Sequence, residues 1–153
     1  MIKLKDASPE KFNFSTELRV RLPETDAMGI VFHSNFFVYM DVARVDYLRN
    51  LGLGEAIRPI KGFSNVVAHV SCDFVSPAKF NDVLIIKARI AEIGHTSLRF
   101  EFLIYHKREN RLVARGQSIH VAIDEETWKP IPIPEEFRQI IRKYEGRELV
   151  ERG

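Results

Sequence analysis

The chain has 153 residues, 45% apolar and 29% charged, with a formal net charge of +2. That is enough for one domain with its own core and too little charge to argue for nucleic acid by itself, although a local basic patch can still meet an anionic ligand. The single Cys72 excludes an internal disulfide and a cysteine-rich zinc site, and among alternating neighbours it reads as a small apolar residue.

The first residues, MIKLKDASPEKF, lack the apolar run of a secretory signal. No stretch approaches the ~18 apolar residues of a membrane span. The expected location is the cytoplasm.

Residues 14–22, FSTELRVRL, alternate as a strand should, and Pro23 stops it. The stretch RLPETDAMGIVFHSNFF follows, with Asp26 in a turn just before an aromatic helix start. On its own, Asp26 has three readings: turn residue, surface charge or catalytic group. A helix is expected from about Ser34 to Leu51, roughly 27 Å long, with Ser34 as cap and Gly52 as stop. Phe36, Phe37, Met40, Ala43, Tyr47, Leu48 and Leu51 form a wide stripe, which Val38, Val42 and Val45 extend. A helix so apolar is buried on most sides.

From Phe63 the period becomes two. In NVVAHVSCDFV, Val66, Ala68, Val70, Cys72 and Phe74 alternate with Val67, His69, Ser71, Asp73 and Val75. SPAKFND ends that strand, and DVLIIKARIAEI, SLRFEFLIYHK and LVARGQSIHVAID follow as three more, linked by GHT and RENR. A proline-rich link and a short amphipathic helix close the chain. The fold class is α+β, one helix lying across a curved antiparallel sheet, without repeats or a domain-splitting linker.

This order and these residues resemble the hot-dog fold, and within it the 4-hydroxybenzoyl-CoA thioesterase family, including the acyl-CoA thioesterases associated with the Tol-Pal system. The resemblance rests on ETDAMGIVFHSNFFVYMDVARVDYLRNLG, CDFVSPAKFND, GHTSLRF, and ARGQSIHVAID followed by KPIPIPEEFR. It implies a single hot-dog thioesterase domain over 1–153, core about 14–142, whose antiparallel sheet wraps a long central helix. The implied reaction is hydrolysis of an acyl-CoA thioester, with coenzyme A as part of the substrate and no other cofactor.

By the same resemblance, Asp26 matches the catalytic aspartate, and His33 the position whose backbone N–H polarises the thioester carbonyl. Benzoyl-specific relatives carry a basic cluster where this chain has Gly94, His95, Thr96 and Ser97, so their phosphate contacts and aromatic substrate are not carried over. Coenzyme A phosphates are nonetheless expected at this turn, with Gly94 allowing close approach and Thr96 and Ser97 offering hydroxyl donors. Two subunits are expected to join sheets edge to edge as a homodimer, or a homotetramer through the outer sheet faces, with the active site between chains and the acid of one chain near the helix of the other.

The chemistry suits these residue types. A carboxylate can attack the thioester directly or serve as general base on water. Unpartnered N–H groups at a helix start, with the macrodipole behind them, stabilise an oxyanion. Gly29 lets backbone approach the acyl group. Asp41 has two readings, an ion pair with Arg44 or a second acid. His69, Ser71 and Asp73 lie along one strand face and do not converge as a hydrolase triad must. Lys87, Arg89, Arg99 and Arg115 read as a solvated or subunit-contact face, the other reading being that some of them meet coenzyme A phosphates. No metal-ligand spacing appears. The alternatives are a hot-dog dehydratase on acyl-carrier substrates, for which His33 and Asp41 are the available pair, and a non-catalytic acyl-CoA-binding protein.

Overall fold

The strand Val83–Ile93 ends directly before Gly94, and the link after the strand Ser64–Phe74 carries Pro77. The computed structural model describes residues 8–53 and 64–152. Its elements are β1 (Phe14–Arg19), α1 (Asn35–Asn50), β2 (Ser64–Phe74), β3 (Val83–Ile93), β4 (Ser97–His106), β5 (Arg111–Ile123), α2 (Glu135–Glu145) and β6 (Val150–Glu151). The sheet order is β1-β3-β4-β5-β2, and β6 adds beside β3 in parallel. The four long strands are antiparallel, as expected, but β2 lies beside β5 at the far edge. Its link to β3 passes the start of β5, where Val113 O accepts the N–H groups of Val75 and Ser76.

The 16-residue α1 crosses the inner face. Phe36, Met40, Ala43 and Tyr47 are buried with Ile86, Phe100, Phe102 and Ile104 of the strands. Gly52 closes the helix at φ 73°, with Leu53 N–H bonded to Leu48 O and Gly52 N–H to Arg49 O. Ser34, however, makes no side-chain cap; it already has helical backbone angles, so its hydroxyl is not set to reach back.

Helix and sheet meet most closely at Gly116. A Cβ there would lie 2.8 Å from the Met40 thioether and 2.7 Å from Ser71 O. Only glycine allows that contact.

One departure from simple alternation matters for the site. The β2–β5 register shifts between Val67 and His69, leaving Ala68 as a bulge. Val67 pairs with His120, and beyond the bulge Val70, Cys72 and Phe74 pair with Ser118, Gly116 and Ala114. An extra residue exchanges the faces of everything after it. Val67 therefore shares the helix-facing side with Val70, not the outer side that plain alternation assigns.

At the other end, α2 buries Phe137 and Ile141. Its buried Glu145 accepts hydrogen bonds from the Tyr47 hydroxyl and the Ile90 N–H. Burial pushes the Glu145 carboxyl above the ordinary carboxylate range.

Candidate active site

The loop carrying Asp26 is a miniature hairpin. Thr25 pairs with Val31; Asp26 N–H donates to Ile30 O at 2.8 Å, and Gly29 N–H to Asp26 O at 2.9 Å. Gly29 sits at φ 78°, so a glycine is what lets this turn close. The Met28 N–H donates to Asp26 Oδ1 at 2.8 Å, and among the described residues Oδ2 has no partner. One oxygen is held by the turn, and the other is without a hydrogen-bond partner among the described residues.

A second carboxylate, which the sequence did not single out, ties this loop to the helix. Glu24 is buried and accepts the Arg21 N–H at 2.8 Å, the Arg21 guanidinium at 2.9 Å and the Tyr39 hydroxyl at 3.1 Å. Burial works against its charge, but hydrogen bonds from Arg21 and Tyr39 hold the carboxyl below its usual range. The Glu24 carbonyl accepts Phe32 N–H and Asn35 Nδ2, both at 2.9 Å. The R-x-x-E spacing at Arg21 and Glu24 was a local signal for the ion pair; the Tyr39 contact, fifteen residues on, had none.

At the start of α1, Asn35, Phe36 and Phe37 donate to the carbonyls three residues back. Among the described residues, the N–H groups of His33 and Ser34 have no hydrogen-bond partner. The His33 ring is exposed and packs beside Phe32 at 4.3 Å and Phe74 at 6.2 Å. Asp26, Gly29 and His33 thus share one short, cross-braced segment.

Asp41 pairs with Arg44 at 2.9 Å. The outer sheet face is a charge ladder: Arg89 and Arg99 each lie 2.6 Å from Glu101, and Arg115 lies 3.2 Å from Asp73. Asp73 is therefore engaged across the sheet, away from any triad with His69 and Ser71. Burial pushes the Cys72 thiol up to about 12, in keeping with an inert packing role.

Gly94, His95, Thr96 and Ser97 form the β3–β4 turn, at the opposite end of β3 from the Asp26 loop. Eleven residues of β3 separate the two ends, roughly 33 Å at about 3.3 Å per residue. Within one chain, the structure does not bring them together. The turn's carbonyls are held by its own domain: Arg138 donates to Gly94 O and His95 O, Ile133 N–H to His95 O, and Ala122 N–H to Thr96 O.

Beside α1 runs a groove of about 520 Å³ between the helix and the inner faces of β2 and β5. Val38, Val42, Val67 and Val70 make it apolar, while His120 and Ser118 lie in its sheet wall. These two polar residues also escaped the sequence reading, because an alternating strand does not say which face will line a cavity. Among the described residues no cluster of His, Cys, Asp or Glu is arranged to hold a metal ion, and no helix is long and apolar enough to cross a membrane.

The model of the family described as "Thioesterase-like superfamily" matches residues 20–141. The chain belongs to the thioesterase-like superfamily. This thioesterase is similar to the acyl-CoA thioesterase YbgC of Haemophilus influenzae, at 28% identity over 127 residues covering 82% of this chain and 91% of YbgC. A solved 1,4-dihydroxy-2-naphthoyl-CoA thioesterase from Synechocystis superposes with a TM-score of 0.75 at 27% identity, covering 84% of this chain and 94% of that one. A hypothetical protein from Aquifex aeolicus does so with a TM-score of 0.76 at 28% identity, covering 84% and 98%. The thioesterase has the antiparallel sheet and helix of the hot-dog fold, and it is an enzyme of the thioester-hydrolase class.

Proposed function

We propose that the thioesterase hydrolyses an acyl-CoA thioester to the free acid and coenzyme A, with Asp26 as nucleophile or general base and the His33 N–H as oxyanion donor. The observation that carries this reading is the bracing of the Asp26 hairpin, through Glu24, to a helix start whose His33 N–H has no partner among the described residues. In the general-base route, Asp26 takes a proton from water as the oxygen attacks the carbonyl. In the nucleophilic route, the carboxylate attacks and water cleaves the resulting anhydride. Either way the carbonyl oxygen becomes an oxyanion, the C–S bond breaks, and the coenzyme A thiolate leaves. One well-aimed N–H contributes about 3 kcal/mol to such a transition state.

The dehydratase alternative gains no support. It needs His33 and Asp41 as a pair, whereas Asp41 is engaged by Arg44 and the His33 ring packs with Phe32 and Phe74.

The substrate's coenzyme A is assigned to Gly94, His95, Thr96 and Ser97 of a second subunit. Antiparallel pairing of two β2 edges about a two-fold axis reverses one chain relative to the other. That carries the partner's turn to the end of the assembly where this chain holds Asp26. Exposed Val38, Val42, Val67 and Phe74 beside the β2 edge, which has no strand partner among the described residues, support a homodimer formed there.

The test is thiol release from a panel of acyl-CoAs. Asp26→Asn, which keeps shape and removes charge, is expected to lower kcat by about 10³-fold or more with folding intact. Near-normal turnover by folded Asp26→Asn would defeat the assignment.

A further inference from the structure

The β3–β4 turn is held from behind and open in front. Gly94 O and His95 O both accept from Arg138 Nη2; His95 O also accepts the Ile133 N–H at 2.9 Å, and Thr96 O the Ala122 N–H at 2.8 Å. The Gly94 N–H is used within the turn, donating to Ser97 O at 2.7 Å. Among the described residues, the N–H groups of His95 and Thr96 have no hydrogen-bond partner. His95 is exposed and Thr96 is half-buried.

In a planar trans peptide the C=O and the N–H point in opposite directions. The Gly94–His95 and His95–Thr96 peptides turn their carbonyls toward one nitrogen of Arg138. Their two N–H groups therefore face away from α2. Arg138 is itself fixed: its side chain is 11% exposed and lies 3.8 Å from Glu151, which Arg142 grips at 2.8 Å and 2.9 Å. A cation donating to two amide carbonyls polarises the peptides and strengthens the donors in front.

We propose that the His95 and Thr96 N–H groups receive a phosphate of coenzyme A, and that Arg138 is the positioning residue that aims them. This deepens the acyl-CoA thioesterase reading and rests on it. The occupant follows from the donor set. GHTS contains no lysine or arginine, so an anion at this turn is held by backbone donors, as anions are in other backbone concavities. The anions that an acyl-CoA brings are its phosphates. In the proposed dimer this turn serves the partner's acid, so Arg138 acts on substrate binding and not on the carbonyl chemistry.

The experiment follows hydrolysis of decanoyl-CoA, decanoyl-3′-dephospho-CoA and decanoyl-pantetheine. Arg138→Met, which keeps the aliphatic stem, is expected to raise KM for decanoyl-CoA at least about tenfold and to change kcat much less. The preference for decanoyl-CoA over decanoyl-pantetheine should fall by a similar factor. Arg138→Lys, still a cation able to donate to the carbonyls, is expected to recover part of it. A rise in KM for decanoyl-CoA alone supports the proposal and assigns the 3′-phosphate; an equal rise for the dephospho form supports it and assigns the pyrophosphate. An unchanged KM, or an equal loss on decanoyl-pantetheine, would overturn it and leave Arg138 a structural tie. A measurement without mutation stands beside these. Isotope-labelled wild type titrated with coenzyme A is expected to show the His95 and Thr96 amide protons moving downfield, and binding that leaves both in place would overturn the proposal. Movement of both amides with none of the three thioesters hydrolysed would overturn the thioesterase reading and keep the site.

Discussion

The Tyr39 hydroxyl, on the second turn of α1, donates to the Glu24 carboxylate 3.1 Å away and so fastens the helix to the loop that carries Asp26. Tyr39 itself is buried beside Phe36, edge to face at 5.8 Å. The contact joins the hydrophobic core to the proposed chemistry through a single hydrogen bond. Tyr39→Phe keeps the ring and removes only that bond. It is expected to lower stability by about 1.5–3 kcal/mol, the scale for a hydrogen bond to a charged group. It should also lower kcat more than it shifts KM, because the hairpin loses its brace. Urea denaturation and steady-state kinetics on the same preparation check both. An unchanged kcat would separate Glu24 from the positioning of Asp26.

Gly116→Ala is expected to destabilise the fold by about 1–3 kcal/mol, the usual cost of overpacking a core. The Met40 thioether can move aside, but Ser71 O belongs to the backbone of the neighbouring strand and cannot. A lower urea midpoint with an unchanged slope would show the loss. A midpoint equal to wild type would mean that β2 yields at this point.

The pH dependence of stability follows from buried groups of opposite sign. His120 has its pKa lowered from 6.5 to about 4 by burial, with Arg44 adding to the shift and Asp41 opposing it. Its neutral form is the folded form, so its contribution is complete above pH about 6.5 and is lost as pH falls toward 4. The loss amounts to about 3 kcal/mol at most. Glu24, held low, acts in the same direction below the ordinary carboxylate range. Glu145, held high, acts in the opposite sense and costs stability as pH rises through its folded value. His120→Leu is expected to remove the loss between pH 6.5 and 4 and leave the carboxylate-dependent part, as thermal melts across that range would show. An unchanged profile would remove His120 from the account.

Subunit complementation tests the proposed composite site. Asp26→Asn chains keep a normal β3–β4 turn, and a His95→Glu/Thr96→Glu chain keeps a normal Asp26. Each homodimer is expected to be impaired, the first in kcat and the second in KM. Mixed dimers should regain one intact site, composed of Asp26 from one chain and the turn from the other. Failure to regain activity in verified heterodimers would place coenzyme A elsewhere.

Strands β1 to β5, both helices and the turn around Asp26 were legible because each is written locally, in alternation, glycine and proline, whereas the two-residue β6 was not. What was hidden depends on distance or on an unmarked irregularity. In VVAHVSCDF only Val67, an apolar residue on the polar side, departs from alternation, and that did not reveal that Ala68 bulges and exchanges the faces beyond it. Ser34 looks like a cap and is already helical. Glu24 and Tyr39 meet only because the loop folds back on the helix, and the interest of His120 lies in a groove that exists only once α1 is in place. The GHTS turn was readable as a turn, but its separation from Asp26 follows from strand direction, which no local pattern carries.

The bulge at Ala68 also bears on how assembly stops. A sheet with two free edges can in principle add copies without end, head to tail. Among the described residues the two edge strands do not match. One is β1, six residues long with Glu17 and Arg19 exposed; the other is the eleven-residue β2, interrupted at Ala68. A bulge bends its strand and breaks the ladder on the open side. It divides the β2 edge into runs at Ser64–Val67 and His69–Phe74. A β1 edge laid against β2 would meet a kink out of step with its own repeat, whereas a second β2 carries the same kink and can be matched to it by rotation. If two chains pair as proposed, the shared kink favours β2 against β2 over β1 against β2.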